Sequence, residues 1–577
     1  MIDPICLTPG KDKDAKKKGG SHGNWKDLLD ILALATLDEL KPKQPLHPCS
    51  NSNFLHNYCD GKSRPAFKNN QEQEEWSRAQ RVERSHRAHE RLTQKLLDKR
   101  YRALYIAVAR LFAGQLAKDA DVMDEIDALP TNADKGRMTL MHALTLASKW
   151  APTPGGSHDR VTNISSAICL LLHKIFLSVA ASLPVSETHL LRCAYQKQIL
   201  TRGRRYTCIP EPLMSSNRWS EIAYSRVASI CMNKNKERFF MRDEDRFLNY
   251  LQDVESGKKQ ISGATLLPHL LAREAVEVYR HQSPVDGTSR PITSALRERQ
   301  RLLAEVRMRV IDAQWATLLA RLRESGQLDN CIAVCDVSGS MGSINCPRPN
   351  SPYNVRPILP AISLTLLVAR LAKPPFNDIF ITFSGSPQFV TIDPESRRAP
   401  LGEVIDGVHQ ADWGMNTDLD AVFLKLILPR AIKHKVPKDQ MIKRIFVFTD
   451  MHFDETDTRG ADTHASSPDP AAEWKTNHDV IAEAYAKAGY DVPELVYWNL
   501  SNPWDGYGIT APVTGKRQGV ALLTGYSSSL LKVFLDVEEN DLDKKGQSQS
   551  ERPSLTPEEL MKKALGKKSY DGLAVVD

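Results

Sequence analysis

The sequence predicts a multidomain chain in which an all-α, helical-repeat module precedes an α/β domain of the doubly wound, Rossmann-like class. The chain has 577 residues, which is too many for one hydrophobic core. Before residue 328, apolar segments of helical length are punctuated by Pro and Gly, and alternating β-branched runs are almost absent. After residue 328, short apolar runs of strand length alternate with helical segments. This alternation is typical of a mostly parallel sheet that is covered by helices on both faces.

The first part of the chain opens with residues 1–24, which are rich in lysine and glycine and are predicted to form a disordered basic tail. Residues 25–327 are predicted to form the helical module. One long helix is predicted from Gln71 to Leu116, because this segment has no Pro and its first Gly is Gly114. No fixed sequence period is present, so an α-solenoid and an irregular bundle both remain open. The other predicted helices are Trp25–Leu40, Thr139–Trp150, Ile164–Ala181, Glu187–Leu200, Trp219–Asn233, Asp243–Glu255, Leu266–Val278 and Ser294–Arg323.

The second part comprises residues 328–537, predicted to form the α/β domain, and residues 538–577, predicted to form a flexible C-terminal tail. The predicted strands are Ile332–Val337, Ile379–Ser384, Gln388–Ile392, Arg444–Thr449, Leu495–Leu500 and Val520–Thr524. The predicted helices are Pro357–Leu371, Leu419–Ile432, Asn477–Ala488 and Ser528–Leu535.

Charge is distributed unevenly between the two parts. Residues 1–327 carry 51 Lys and Arg against 37 Asp and Glu, a net charge of +14. Residues 328–538 carry 19 against 25, a net charge of −6. This asymmetry predicts a polyanionic partner for the first part and a cation for the second. Long solvated helices that simply carry many basic residues are the alternative explanation for the first part.

A candidate metal site follows the first predicted strand. Asp336, Ser338 and Ser340 alternate on a tight turn and offer one carboxylate and two hydroxyl oxygens. Such hard oxygen ligands suit Mg²⁺, Mn²⁺ or Ca²⁺. Downstream, Thr417 lies in a loop before an apolar helix, and Asp450 directly follows a second buried strand. Because ligands of open α/β sheets bind beyond the carboxyl ends of the strands, we expect the two acids at one sheet edge. An ordinary Ser/Gly turn is the alternative for the first three residues.

A candidate RNA-binding surface lies in the first half of the long predicted helix. Its arginines recur at three- and four-residue spacing and are predicted to share one face, which could follow a phosphate backbone. A solvated face on which arginines pair with neighbouring glutamates is the alternative. The arginines are Arg78, Arg81, Arg84, Arg87 and Arg91.

The five residues of the candidate metal site, in this order, resemble the metal-ion-dependent adhesion site (MIDAS) of a von Willebrand factor A domain. Roughly residues 25 to 537 also resemble an uncharacterised domain-of-unknown-function family of plants, fungi and large viruses. That family is similar to the Ro autoantigen, in which a TROVE-type, HEAT-like ring of helical repeats is joined to an A domain. The segments that carry the resemblance are Leu146–Trp150, Arg226–Met232, Leu266–His269, Trp413–Asp418, Phe446–Asp454 and Val496–Leu500.

The resemblance implies a function for each part. In the α/β domain, Ser338, Ser340 and Thr417 would bind Mg²⁺ or Mn²⁺ directly. Asp336 and Asp450 would act through water, and one position on the ion would stay open for a carboxylate of a protein partner. The helical module would bind structured or misfolded non-coding RNA in a Ro-like ribonucleoprotein role, although no RNA-binding motif occurs in residues 25–327.

We therefore expect a non-enzymatic binding or scaffold protein. The alternative is a metal-dependent, phosphatase-like hydrolase with Asp336 as the nucleophile. Phosphatases of the haloacid-dehalogenase kind use a second carboxylate two residues after the nucleophile, where this sequence has Ser338.

Apolar stretches and cysteines bear on the cellular location of the protein. No apolar stretch reaches about 18 uncharged residues, so no membrane span and no membrane partner are predicted. The ten cysteines are scattered without the spacing of a disulfide framework, which is typical of reduced intracellular thiols. We expect a cytoplasmic protein, with the nucleus as the alternative.

Overall fold

The fold is taken from a computed structural model, which describes residues 24–38, 65–67, 69–130, 133–173, 187–263, 265–282, 294–326, 328–344, 356–382, 387–392, 399–410, 421–450, 480–501, 519–535, 558 and 561–562. These residues divide into two structural units: the first comprises the described residues up to Ala223, and the second comprises those from Tyr224 onward. The predicted tails, residues 1–24 and 538–577, lie almost entirely outside the described residues. No helix within the described ranges is both long enough and apolar enough to cross a membrane.

All of the regular secondary structure in the described part of the first unit is helical. Its central element is the helix Lys99–Ala128, whose Val108, Phe112 and Leu116 are fully buried and lie four residues apart on one face. This face packs against the helices Trp25–Thr36 and Ile164–Leu171, with the Trp25 and Phe112 rings 4.9 Å apart. The helices are α1 (Trp25–Thr36), α2 (Asn70–Lys95), α3 (Lys99–Ala128), α4 (Asp134–Ala143), α5 (Ala147–Trp150), α6 (Ser157–Thr162), α7 (Ile164–Leu171), α8 (Glu187–Ala194), α9 (Arg202–Tyr206) and α10 (Pro210–Ser215).

The predicted helix Gln71–Leu116 is wrong as a single element. It is two helices, because α2 ends at Lys95 and the Asp98 side chain accepts a hydrogen bond from the backbone N–H of Arg100 to start α3. An aspartate N-cap satisfies an unpaired backbone donor, so it begins a new helix without any Pro or Gly.

Two other predicted helices are also divided. The segment Thr139–Trp150 contains the end of α4 and the separate short helix α5. The segment Trp219–Asn233 contains two 3₁₀ turns, and its α-helix begins only at Ser229. Conversely, Glu187 to Tyr206 is one continuous helical run, in which a π-helical segment, Tyr195–Thr201, joins α8 to α9.

The second unit combines four helices that precede the sheet with the α/β elements themselves. The predicted order of helices first and a sheet second is confirmed. The helices are α11 (Ser229–Arg242), α12 (Glu244–Glu255), α13 (Pro268–Gln282), α14 (Ser294–Glu324), α15 (Ile358–Leu371), α16 (Leu401–Gln410), α17 (Leu428–His434, after a π-helical segment Val422–Ile427) and α18 (Lys532–Leu535). The strands are β1 (Cys331–Cys335), β2 (Ile379–Thr382), β3 (Phe389–Thr391), β4 (Arg444–Thr449), β5 (Glu494–Asn499) and β6 (Val520–Thr524). The helix α16 was not predicted.

The six strands form one mixed sheet in the order β3-β2-β1-β4-β5-β6. All neighbouring strands are parallel except β2 and β3, which are antiparallel. From β1 the chain adds β2 and then β3 on one side. It then crosses back and adds β4, β5 and β6 on the other side of β1. Strand order therefore reverses between β1 and β4, as it does in doubly wound folds.

Both faces of the sheet are buried. Successive side chains of a strand point to opposite faces. In β1, Cys331, Ala333 and Cys335 join a core with α13 and α15, whereas Ile332 and Val334 join a separate core with α17 and the π-helical segment before it.

Helices α13 and α14 share the core of the sheet rather than forming a separate module with the preceding helices. Leu271 and Ala275 of α13 and Ile311 of α14 are fully buried in the same cluster as β1 and α15. Helix α16 approaches α13 so closely that a Cβ at Gly402 would lie 2.6 Å from the carbonyl oxygen of Ala275. The change from helices to sheet therefore follows residue 327, whereas the division between the structural units precedes Tyr224.

This shared core predicts how fragments will behave. A fragment of residues 328–577 is expected to lose cooperative thermal unfolding, because removing α13 and α14 exposes apolar surface on α15 and α16. A fragment of residues 224–577 is expected to retain it. Circular dichroism melting curves of the two fragments test this expectation, and equal cooperative transitions would contradict it.

Candidate metal site at the carboxyl edge of the sheet

The two predicted acidic residues lie at the carboxyl ends of neighbouring strands. Asp336 directly follows β1 and Asp450 directly follows β4. The backbone N–H of Asp336 donates to the carbonyl of Phe448 at 3.0 Å, so the ladder continues one residue beyond β1. Because strand order reverses between β1 and β4, both acids lie at the topological switch point. Open α/β sheets bind their ligands at this point.

The carboxylate of Asp336 is held from two sides. The residue is completely buried. Its Oδ1 accepts a hydrogen bond from the backbone N–H of Ser338 at 2.9 Å, and its Oδ2 accepts one from the hydroxyl of Thr449 at 2.6 Å. Two donors of fixed direction orient the carboxylate and use one lone pair on each oxygen.

Burial nevertheless disfavours the ionised form of this group. Desolvation raises the pKa of Asp336 to about 6, and the nearby charge of Asp450 adds to the increase. The hydrogen bonds from Thr449 and Ser338 lower the pKa in the opposite direction. A perturbed carboxyl group at a ligand-binding edge is typical of functional sites.

The two predicted serines lie on the turn that leaves β1. The hydroxyl oxygens of Ser338 and Ser340 are 2.9 Å apart, and the side chain of Ser340 is exposed. The next residue, Met341, is fully buried in the core and anchors the turn. The turn thus presents a pair of hydroxyls outward from the buried carboxylate of Asp336.

The structure therefore brings together four of the predicted ligands: Asp336, Ser338, Ser340 and Asp450. Thr417, the fifth, lies outside the described residues, and its role stays a prediction.

Thr449 is a site residue that the sequence reasoning missed. Strand β4 has the predicted bounds, Arg444–Thr449, but only the acid that follows it was predicted to be a ligand. The register pairs Cys335 with Phe448, so Thr449 lies beside Asp336 across the β1–β4 ladder. A Thr-Asp pair at the end of the strand that neighbours β1 was the available signal. Two further buried polar residues end adjacent strands at the same edge, Thr382 on β2 and Asn499 on β5.

The residues at this edge fit a hard divalent cation. Within the described ranges, no group of three or more His, Cys, Asp and Glu side chains is placed to hold a metal ion. The candidate site is of a different kind, with two carboxyl groups and two hydroxyls. The charge of Asp450 adds to the cost of ionising the buried carboxyl group of Asp336, and a divalent ion would offset that cost. Hydroxyl and carboxylate oxygens are ligands that Mg²⁺ and Mn²⁺ accept.

The arginines of the candidate RNA-binding surface all lie on α2. Arg78, Arg81 and Arg84 are exposed, whereas Arg87 and Arg91 are half-buried. The guanidinium of Arg87 lies 3.4 Å from the carboxylate of Glu83. A step of three residues falls about 60° short of a full helical turn. The arginines therefore wind around α2 and do not keep to the single face that their spacing predicted.

Comparisons with known proteins show the family of the chain but no function. A family model described as domain of unknown function DUF2828 matches residues 1–328, and one described as domain of unknown function DUF7788 matches residues 330–565. The uncharacterized protein L728 of Acanthamoeba polyphaga mimivirus is 26% identical over 444 residues, which are 74% of this chain and 63% of the viral protein. The chain thus spans less than two thirds of that relative's length. No solved structure matches.

These findings confirm the predicted resemblance to an uncharacterised family with a relative in a large virus. The likeness to the Ro autoantigen and to von Willebrand factor A domains is not among them.

Proposed function

The chain belongs to the family described as domain of unknown function DUF2828, and we propose that it is a non-enzymatic binding protein that captures an acidic group of a protein partner through a divalent cation. The observation that carries this proposal is the meeting of Asp336 and Asp450 at the switch point of the sheet, beside the hydroxyls of Ser338 and Ser340. The doubly wound strand order supports an A-like domain around that site.

The residues of the chain divide into two roles toward Mg²⁺ or Mn²⁺. Ser338, Ser340 and Thr417 would supply hydroxyl oxygens, as in the MIDAS that the sequence resembles. Asp336 would act on the ion through water, as the resemblance implies, and the one hydrogen bond that each of its oxygens accepts leaves a lone pair free for that water. When bound, the ion supplies a Lewis-acidic centre with an open position for the carboxylate of the partner.

A phosphatase-like role for Asp336 has less support. A nucleophilic carboxylate must reach the substrate, whereas Asp336 is fully buried and oriented by Ser338 and Thr449. Ser338 also occupies the position where the phosphatase chemistry uses a second acid.

Calorimetric titration of the full chain with Mg²⁺ and with Mn²⁺ tests the proposal. The wild-type protein is expected to bind one ion, and Asp336→Ala is expected to abolish binding while leaving the fold intact. Hydrolysis of a phosphate ester is expected to stay at background with either metal. No binding at millimolar concentration would refute the metal site, and metal-dependent hydrolysis that is lost in Asp336→Asn would favour the phosphatase.

A second candidate function, RNA binding by the helical part, is favoured by one observation. Arg78 and Arg81 are exposed and form no ion pair with another described residue. With the net charge of +14 in residues 1–327, they offer sites for phosphates of a structured or misfolded non-coding RNA. A TROVE-like repeat architecture, a Ro-like role, and a cytoplasmic or nuclear location belong to the same proposal.

Salt dependence tests this second function. RNA affinity of the full chain is expected to fall steeply with salt, because each phosphate contact releases a counterion. Replacing Arg78, Arg81 and Arg84 together by Gln is expected to reduce the slope of log affinity against log salt by about two to three. Arg218→Gln is a matched control, since Arg218 is exposed but paired with Glu221. Salt-independent binding, or an unchanged slope in the triple variant, would contradict RNA binding by α2.

A further inference from the structure

The turn that carries Ser338 and Ser340 is held at its far end by a residue from the helices that precede the sheet. The guanidinium Nη1 of Arg280, on α13, donates a hydrogen bond to the carbonyl oxygen of Ile344 at 3.1 Å. We call residues 338–344 the serine loop. The loop is anchored at its start by the bond from the N–H of Ser338 to Asp336, in its middle by buried Met341, and at its end by Arg280.

Arg280 has a rigid base from which to make this contact. Helix α13 is fixed by fully buried Ala272 and Ala275, which pack in the core of the sheet. The second terminal nitrogen of Arg280 lies 3.6 Å from Oδ1 of Asp406 on α16, so the guanidinium bridges two elements. A planar guanidinium suits such a bridge because its donors point in fixed directions.

We propose that Arg280 is a positioning residue for the candidate metal site, and that ion affinity at the carboxyl edge therefore depends on α13. This inference rests on the proposed function. Arg280 lies within the residues matched by the first family model, whereas the serine loop lies within those matched by the second. The contact thus makes the helical part a component of the site. Without it, the serine loop loses the anchor at Ile344, and an ion must order the hydroxyls of Ser338 and Ser340 to a greater extent on binding.

The expected loss of Mn²⁺ affinity on replacing Arg280 is smaller than the loss on removing a group that contacts a metal ligand directly. Partners of ligands are worth about 10- to 100-fold in metal affinity. Because Arg280 acts on the loop backbone at Ile344, we expect Arg280→Ala to weaken Mn²⁺ binding by about three- to tenfold on the same scale. The variant Arg280→Lys keeps a cation on α13 and is expected to recover part of that loss.

The experiment uses the full chain, Mn²⁺ as the probe and a matched control on the same helix. Arg273→Ala removes an arginine of α13 whose carboxylate partner is Glu277, one helical turn away at 4.0 Å. Its Mn²⁺ affinity is expected to equal that of the wild type. Asp406→Asn keeps the bond to Ile344 but removes the bridge, and an intermediate affinity is expected.

Hydrogen exchange of the metal-free chain separates positioning from general stability. In Arg280→Ala, amides of the serine loop are expected to exchange faster while β1 and α13 keep their protection. Unchanged exchange in the loop, or Mn²⁺ affinity equal to that of Arg273→Ala, would overturn the inference and leave the proposed function intact. Faster loop exchange in a wild-type-like fold, with no Mn²⁺ binding by the wild type itself, would refute the proposed function and the dependent claim about affinity.

Discussion

The variant Asp336→Asn is expected to be more stable than the wild-type protein at pH 7 in the absence of divalent ions. Burial raises the pKa of Asp336 to about 6 from an ordinary value of 3.8. Each pKa unit corresponds to about 1.4 kcal/mol, so ionisation of the buried group opposes folding by about 3 kcal/mol at pH 7. An amide carries no such cost. Its oxygen can accept from the N–H of Ser338, and its NH₂ group can donate to the hydroxyl of Thr449, which is able to accept.

The stability advantage should depend on pH in a direction fixed by the raised pKa. Between about pH 4 and pH 6 the folded protein binds more protons at residue 336 than the unfolded chain does. The free energy of unfolding of the wild type therefore falls as pH rises through this window, and the full penalty is present above it. The variant has no titrating group at this position, so the two proteins should converge below pH 4. Denaturant titrations at pH 4 and pH 7 measure the difference.

A divalent ion should reverse the ranking of the two proteins. An ion that binds only the folded state stabilises it by about 4.1 kcal/mol at 1,000 times its dissociation constant, which exceeds the cost of about 3 kcal/mol for ionising Asp336. Mg²⁺ or Mn²⁺ should raise the melting temperature of the wild type and leave Asp336→Asn unchanged. Asp119→Asn is the matched control, because Asp119 is a buried carboxyl group of the first unit whose pKa is also raised by burial. A wild type that is more stable than Asp336→Asn at pH 7 without metal would contradict the expected cost of ionising buried Asp336.

The fold class was predictable because hydrophobic periodicity survives in a single sequence. Strands β4 and β6 have the predicted bounds, since each is a short apolar run between polar segments. Helix α14 was predicted to within one residue for the same reason. The break before α3 was missed because a capping aspartate resembles any solvated acid until its partner N–H is known.

The candidate site was predictable only in its sequential parts. Asp336, Ser338 and Ser340 lie two residues apart in the chain, so their spacing alone predicted that they share one turn. Thr449 became recognisable through the register of β1 against β4, which depends on the pairing of residues far apart in sequence. The contact of Arg280 is still harder to predict from sequence, because it depends on the packing of α13 in the core of the sheet. Packing of this kind leaves no local periodic signal.

Replacing Thr449 is expected to cause a large loss of Mn²⁺ affinity, because Thr449 orients the carboxylate of Asp336. The hydroxyl of Thr449 donates to Oδ2 of Asp336 at 2.6 Å, and both residues are fully buried. This bond lowers the pKa of Asp336 and so favours the ionised form that an ion requires. Thr449→Val keeps the shape of the side chain but leaves Oδ2 without its donor. We expect Mn²⁺ affinity to fall by about 10- to 100-fold, the range for partners of metal-site residues.

Two companion variants make this result specific to the hydroxyl of Thr449. Thr449→Ser retains the donor and should keep Mn²⁺ affinity within about threefold of the wild type, which is a smaller change than the roughly 10- to 100-fold loss for lost partners. Thr382→Val is the matched control, because Thr382 is buried at the end of the neighbouring strand β2 and forms no hydrogen bond with Asp336 among the described residues. Calorimetric titration at pH 7 and at pH 5.5 should show a larger loss for Thr449→Val at the lower pH, where a carboxyl group with a further raised pKa is mostly protonated. Equal affinity of Thr449→Val and Thr449→Ser at both pH values would mean that the hydroxyl does not support the site.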